Sequence, residues 1–177
     1  LRAMLALVDA SLVTEGEAMR NGSDAVVAPP PVDISADRKA FHARIRAELH
    51  AIVRGLARQD WEEAAAGIRR SGEDGAWGPE ALAETLAPFI AAEGGVRFDH
   101  AARMGTLTRI TQVGPHVWEV RQVLLPLADE AADAYGFAPE PEDAGEDERA
   151  WSLTGRVDLS ANTNPDGPLI EVLAIAP

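Results

Sequence analysis

Ile90-Ala91-Ala92-Glu93-Gly94-Gly95-Val96-Arg97-Phe98-Asp99 (residues 90–99) is the stretch where the chain changes its hydrophobic period, and that change decides the fold class. Upstream of Gly94, the apolar residues Leu82, Leu86, Phe89 and Ile90 fall at helical spacing behind Pro79. Proline in a first turn costs nothing, because its missing N–H has no partner there anyway. Gly94-Gly95 stops this helix, glycine being the residue that most readily takes the left-handed backbone beyond a helix end. Downstream of Gly95 the period is two. Segments 96–99, 106–113, 117–125, 151–159 and 169–175 are rich in β-branched and aromatic residues and read as strands. Alternation is clearest where Trp151, Leu153, Gly155, Val157 and Leu159 point one way and Ser152, Thr154, Arg156 and Asp158 the other. Gly114-Pro115-His116 reads as a hairpin turn and residues 162–167 as a longer one.

Toward the N-terminus the helical period holds. Ser35 or Asp37 can cap a helix in which Phe41, Ile45, Leu49, Ile52, Val53 and Leu56 form one apolar stripe up to about Arg58. Asp60 caps a shorter helix through Trp61, Ala65 and Ile68, ended by Ser71-Gly72-Glu73-Asp74-Gly75. Residues 21–36, containing Pro29-Pro30-Pro31, read as a Pro-rich linker. Residues 1–20, with Leu1, Leu5, Val8 and Leu12 on one side, read as an amphipathic helix that ends an upstream region. Residues 37–177 then make a C-terminal domain, with residues 128–150 as an acidic insertion between two strands that would otherwise be hairpin neighbours. Within it, 128–135 suits a short helix, and 138–147, with Pro139 and Pro141, a mobile stretch. Helices first and strands afterwards argue for an α+β fold, with N-terminal helices packed on one face of a curved antiparallel sheet. That order is similar to the NTF2-like or cystatin-like cone.

The chain has 177 residues, 46% hydrophobic and 25% charged, which suits one domain with a core and excludes collagen-like and wholly disordered classes. No apolar run approaches the roughly 20 residues a bilayer requires, so no membrane partner is expected. The absence of cysteine removes disulfides, thiolate metal sites and a thiol nucleophile, and is compatible with the cytoplasm. With Leu1 in place of a methionine and no signal peptide, the chain reads as a fragment of a longer protein. Its net charge of −13 argues against a surface that grips nucleic acid everywhere. Nine of the 29 acidic residues, however, lie between 128 and 150, so the remainder is far closer to neutral.

No phosphate-binding loop, dinucleotide fingerprint, nucleophile elbow or zinc-type His-Glu spacing occurs in the chain. His42 and His50 stand eight apart on one helix, too far to share a metal, and read as a solvated edge beside Arg46 and Arg54. No metal site is expected. Arg97-Phe98-Asp99-His100-Ala101-Ala102-Arg103 gathers an Asp, a His and two Arg where helices give way to the sheet. In a pocket, Asp99 could act as a general base, with Arg109 or Arg121 steadying an anion. The plainer reading is an ion pair of Asp99 with Arg103 or Arg109, and Asp158 paired across strands with an Arg has the same two readings. Trp61, Trp77, Trp118 and Trp151 could stack on bases, as in Trp118-Glu119-Val120-Arg121, or could fill the core. The candidate pocket or nucleic-acid surface is therefore Asp99, His100, Arg103, Arg109, Arg121, Trp118 and Trp151, with none expected to be catalytic.

Asp60-Trp61-Glu62-Glu63-Ala64-Ala65, Leu86-Ala87-Pro88-Phe89, Arg97-Phe98-Asp99 with Ala102-Arg103, and Thr108-Arg109-Ile110 follow one another in a telling order. After them come Gly114-Pro115, Trp118 through Leu124, and Gly155-Arg156-Val157-Asp158-Leu159 ahead of Gly167-Pro168-Leu169-Ile170. From about Phe41 to the end, this order resembles the uncharacterised C-terminal domain of bacterial superfamily II helicases of the DEAD/DEAH-box type. Val8-Asp9-Ala10-Ser11-Leu12-Val13-Thr14-Glu15 resembles the segment before that domain, with Gly16 where a Trp is expected. The acidic stretch is longer than the short turn expected before Trp151 and decorates the fold.

The resemblance implies a parent that couples ATP hydrolysis, with magnesium, to unwinding RNA or DNA. The motor would lie upstream in cis, and this chain would bind no cofactor and carry no catalytic residue. Its part would be accessory: packing on the motor, positioning RNA or DNA, or recruiting a partner. Two other readings stand beside it. One is an NTF2-like pocket protein that binds or converts a small molecule through Asp99, His100 and Arg109. The other is an interaction module whose acidic insertion docks on a basic protein.

Overall fold

A computed structural model describes residues 33–70, 77–127, 150–160 and 166–177. The expected helix over 1–20, most of the linker, the acidic insertion and much of the longer turn lie outside the described residues. From Ile34 onward the chain forms one compact unit.

Helix α1 (Arg38–Arg58) is capped by Asp37, whose Oδ1 accepts the Ala40 N–H at 3.0 Å, so of the two candidate caps it is Asp37 that acts. Gln59 ends the helix in the left-handed region at φ 56°. Asp60 then caps α2 (Trp61–Ala66) through the Glu63 N–H at 2.9 Å. Helix α2 stops at Gly67, earlier than the 71–75 cluster, and Arg69 N–H donates to Ile170 O at 2.7 Å, tying the helical layer to the last strand. Helix α3 (Pro79–Glu93) opens on proline and closes on Gly94 at φ 76°.

The expected strand over 96–99 does not form. Val96 makes one isolated bridge to Pro126, and the chain then enters 3₁₀ turns at Ala101–Arg103 and Gly105–Leu107. The cause is local: Asp99 Oδ1 accepts the Ala102 N–H at 3.0 Å, a side-chain bond that competes with a ladder. Four strands follow, β1 (Thr108–Gly114), β2 (Val117–Val123), β3 (Ser152–Asp158) and β4 (Ile170–Ala176). They lie in the order β1-β2-β3-β4, each antiparallel to its neighbour, in a sheet that is not closed. The fold is therefore α+β. β2 pairs directly with β3 from Val117↔Asp158 to Val123↔Ser152, so the acidic insertion sits in the connection of a hairpin.

One face of the sheet carries Trp118, Val120, Leu153, Val157, Ile170 and Val172, all buried in a single cluster with Phe41, Ile45, Leu49 and Ile52 of α1 and Leu82 and Leu86 of α3. Each fully buried aliphatic side chain contributes about 1.5–3 kcal/mol. Glu48 and Arg44 fasten α1 to the approach to β4: Leu169 N–H donates to Glu48 Oε2 at 2.8 Å, and Arg44 donates to Gly167 O at 2.9 Å. Thr108 and Gln122, facing partners on the inner side, share a hydrogen bond of 2.5 Å, which satisfies a glutamine with no exposure at all.

Candidate functional site

The seven sequence-chosen residues come to rest in three places. Asp99, His100 and Arg103 occupy the turn ahead of β1. Asp99 is paired with Arg97, two residues before it, where the expected partners were Arg103 or Arg109. Arg103 Nε instead donates to the Asp99 backbone carbonyl at 3.1 Å, and its guanidinium lies 5.8 Å from the Phe98 ring centre. The Ala102 N–H, with Arg97 beside it, holds the Asp99 carboxyl below its ordinary value. A carboxylate stabilised in this way is a weakened base, so the general-base reading loses its physical ground. His100 is exposed, as is His116, which takes φ 59° in the β1–β2 turn.

Trp118 and Trp151 belong to the interior. Trp118 is 6% exposed and meets the Phe41 ring edge-on at 4.6 Å, and Trp151 is partly buried 5.3 Å from Phe89. Trp61 and Trp77 are also packed against the core. Stacking on bases needs exposed rings, and these tryptophans are used for packing instead. His50 departs from expectation as well: it is no solvated edge, since its Nε2 is buried and makes no hydrogen bond among the described residues. Burial first, then Arg103 and Arg46, lower its pKa, and burial with Arg38 and Arg46 lowers that of His42.

Arg109 and Arg121 form the third group and do come together. They are register partners on β1 and β2, on the sheet face turned away from the helices. Thr111, Glu119, Thr154 and Leu173 join them around an open depression of about 320 Å³. Arg121 Nε is buried there without a hydrogen-bond partner among the described residues. Thr111, Glu119 and Thr154 share the parity of the two arginines and were readable from the alternation. Leu173 was not readable, because a register irregularity opposite Thr154 and Gly155 places it on this face, 53% exposed. Asp158 takes Arg156 of its own strand at 3.4 Å.

Among the described residues, no three His, Asp or Glu side chains are grouped to hold a metal ion, and no helix is long and apolar enough to cross a membrane. No curated protein and no solved structure matches the chain, so the likeness to the cone rests on element order alone. A family model does match it across residues 1–175, and by that match the chain belongs to the family described as Domain of unknown function (DUF3516).

Proposed function

We propose that this chain is the non-catalytic C-terminal accessory domain of an ATP-dependent superfamily II helicase and positions RNA or DNA on the motor. The observation that carries the reading is the division of labour between the two faces of the sheet. One face is committed to the helices and their shared core, while the other presents Arg109, Arg121 and Arg156 outward. A domain built this way offers a surface, and a surface that guides a polyanion needs guanidinium groups. The order of motifs from Phe41 onward adds the helicase context.

The small-molecule reading gains nothing from the helical side, where Leu82, Leu86, Leu153 and Leu169 occupy the space between sheet and helices. The deciding experiment removes residues 37–177 from the parent helicase and measures unwinding and ATP turnover separately. Unwinding rate or substrate choice changes while basal ATP turnover persists. Complete loss of ATP hydrolysis with the motor still folded overturns the proposal.

A further inference from the structure

We infer that the open sheet face holds one phosphate group of a single-stranded nucleic acid between Arg121 and Arg109, an assignment that rests on the accessory reading above. The register sets Arg109 directly opposite Arg121. Cβ atoms of such partners stand about 4.5–5.5 Å apart, so both guanidinium forks can reach one tetrahedral anion. Arg121 Nε supplies a second, independent observation. It is a buried donor with no acceptor among the described residues, an arrangement that is costly until an acceptor arrives. It lies beside a depression of about 320 Å³ open to solvent, at the lower end of the volumes that small ligands occupy.

The rest of the lining suits a nucleotide better than a bare carboxylate. Thr111 and Thr154 stand on either side of β2 with hydroxyls that can serve phosphate or sugar oxygens. Leu173, 53% exposed, adds apolar surface for a base. Glu119, two residues from Arg121 on the same strand, repels a second phosphate, so the site takes one phosphate and not a run of them. With no aromatic ring lining the depression among the described residues, base identity is read weakly and attraction to the backbone dominates.

The test uses the whole 177-residue chain and fluorescence anisotropy with labelled single strands of about twelve nucleotides, one RNA and one DNA of the same sequence. Binding weakens with salt. Arg121→Gln and Arg109→Gln each reduce affinity about tenfold and lower the salt slope by about 0.7. Arg121→Lys, which keeps the charge but loses the Nε donor, falls between wild type and Arg121→Gln. Arg156→Gln, on the same face but outside the lining of the depression, changes nothing. Tighter RNA binding assigns a threonine hydroxyl to the 2′-OH, equal binding assigns the phosphate alone, and both support the site.

Three results overturn it: no binding at low salt, equal losses in Arg156→Gln and Arg121→Gln, or capture of an acidic peptide through Arg121 while the oligonucleotides fail. Circular dichroism shows whether each variant remains folded, and the outward position of Arg109 makes its variant the safer of the two. The phosphate site and the accessory role fail separately. Altered unwinding on deletion without oligonucleotide binding removes only the site, whereas binding through Arg121 with unwinding unaffected by deletion removes only the helicase reading.

Discussion

His50 sits near the centre of α1 with one ring nitrogen buried and without a hydrogen bond among the described residues, and it contributes to how this fold responds to acid. Burial, Arg103 and Arg46 lower its pKa from the ordinary 6.5, so the folded protein favours the neutral ring. The unfolded chain therefore binds more protons across this interval, and stability must fall as pH drops through 6.5 toward the lowered value. His42 acts in the same direction and the same window. Asp99 works in another: its carboxyl is held below 3.8, so its contribution is whole above that value and is lost only in stronger acid. Urea melts at pH 8, 7, 6 and 5 should show a decline that His50→Leu reduces and His42→Leu/His50→Leu reduces further, with no loss of stability at pH 8. A double variant that keeps the full slope would refute the assignment. At this scale the sequence disclosed residue types and their neighbourhood but not their partners. Asp99 was visible as a charged residue at a corner, whereas its choice of Arg97 and Ala102 depended on the 3₁₀ turn that replaced a strand.

The elements meet through two glycines whose positions leave no room for a methyl group. A Cβ on Gly55 would stand 2.7 Å from the backbone nitrogen of Ala64, so α1 and α2 can approach as they do only while residue 55 is glycine. A Cβ on Gly155 would stand 2.9 Å from both Glu171 O and Ile170 Cγ2, beneath the register irregularity between β3 and β4. Propensity alone favours Gly55→Ala by about 1 kcal/mol in a helix interior. Overpacking opposes it with about 1–3 kcal/mol and should win, because the atoms met are backbone and cannot swing aside. Gly55→Ala and Gly155→Ala should each lower the denaturant midpoint, while Gly105→Ala, with nothing within 4 Å of its new methyl, should not. Equal midpoints for all three would show that these contacts relax freely. The two long helices and four of the five strands were legible because their apolar periods run for seven residues or more, and the six-residue α2 was legible from its Asp60 cap. The segment at 96–99 is four residues long with an Asp at its end, and a single side-chain hydrogen bond suffices to convert so short a run into a turn.

At the level of the whole molecule, the acidic insertion lies in the connection between β2 and β3, which pair along their full length. Their ladder runs unbroken from Val117↔Asp158 to Val123↔Ser152, and Leu124 N–H continues it by donating to Trp151 O at 2.8 Å. Sheet order was not deducible from alternation, which says which way a side chain points but not which strand lies alongside. The insertion obscured that neighbourhood further by separating two partners with a long charged tract. Replacing residues 128–149 with a four-residue turn tests whether the pairing is self-sufficient. Loop closure grows only logarithmically with length, at about 0.6 kcal/mol per doubling, so the shortened loop should gain roughly 1–1.5 kcal/mol. Removing nine carboxylates from a chain at −13 adds to this by relieving self-repulsion, more at low salt than at high. The shortened protein should therefore melt higher than the parent, with the margin narrowing as salt rises, and should keep its far-ultraviolet spectrum. A lower melting temperature at every salt concentration would mean that the insertion carries part of the core, and would transfer it from ornament to structure.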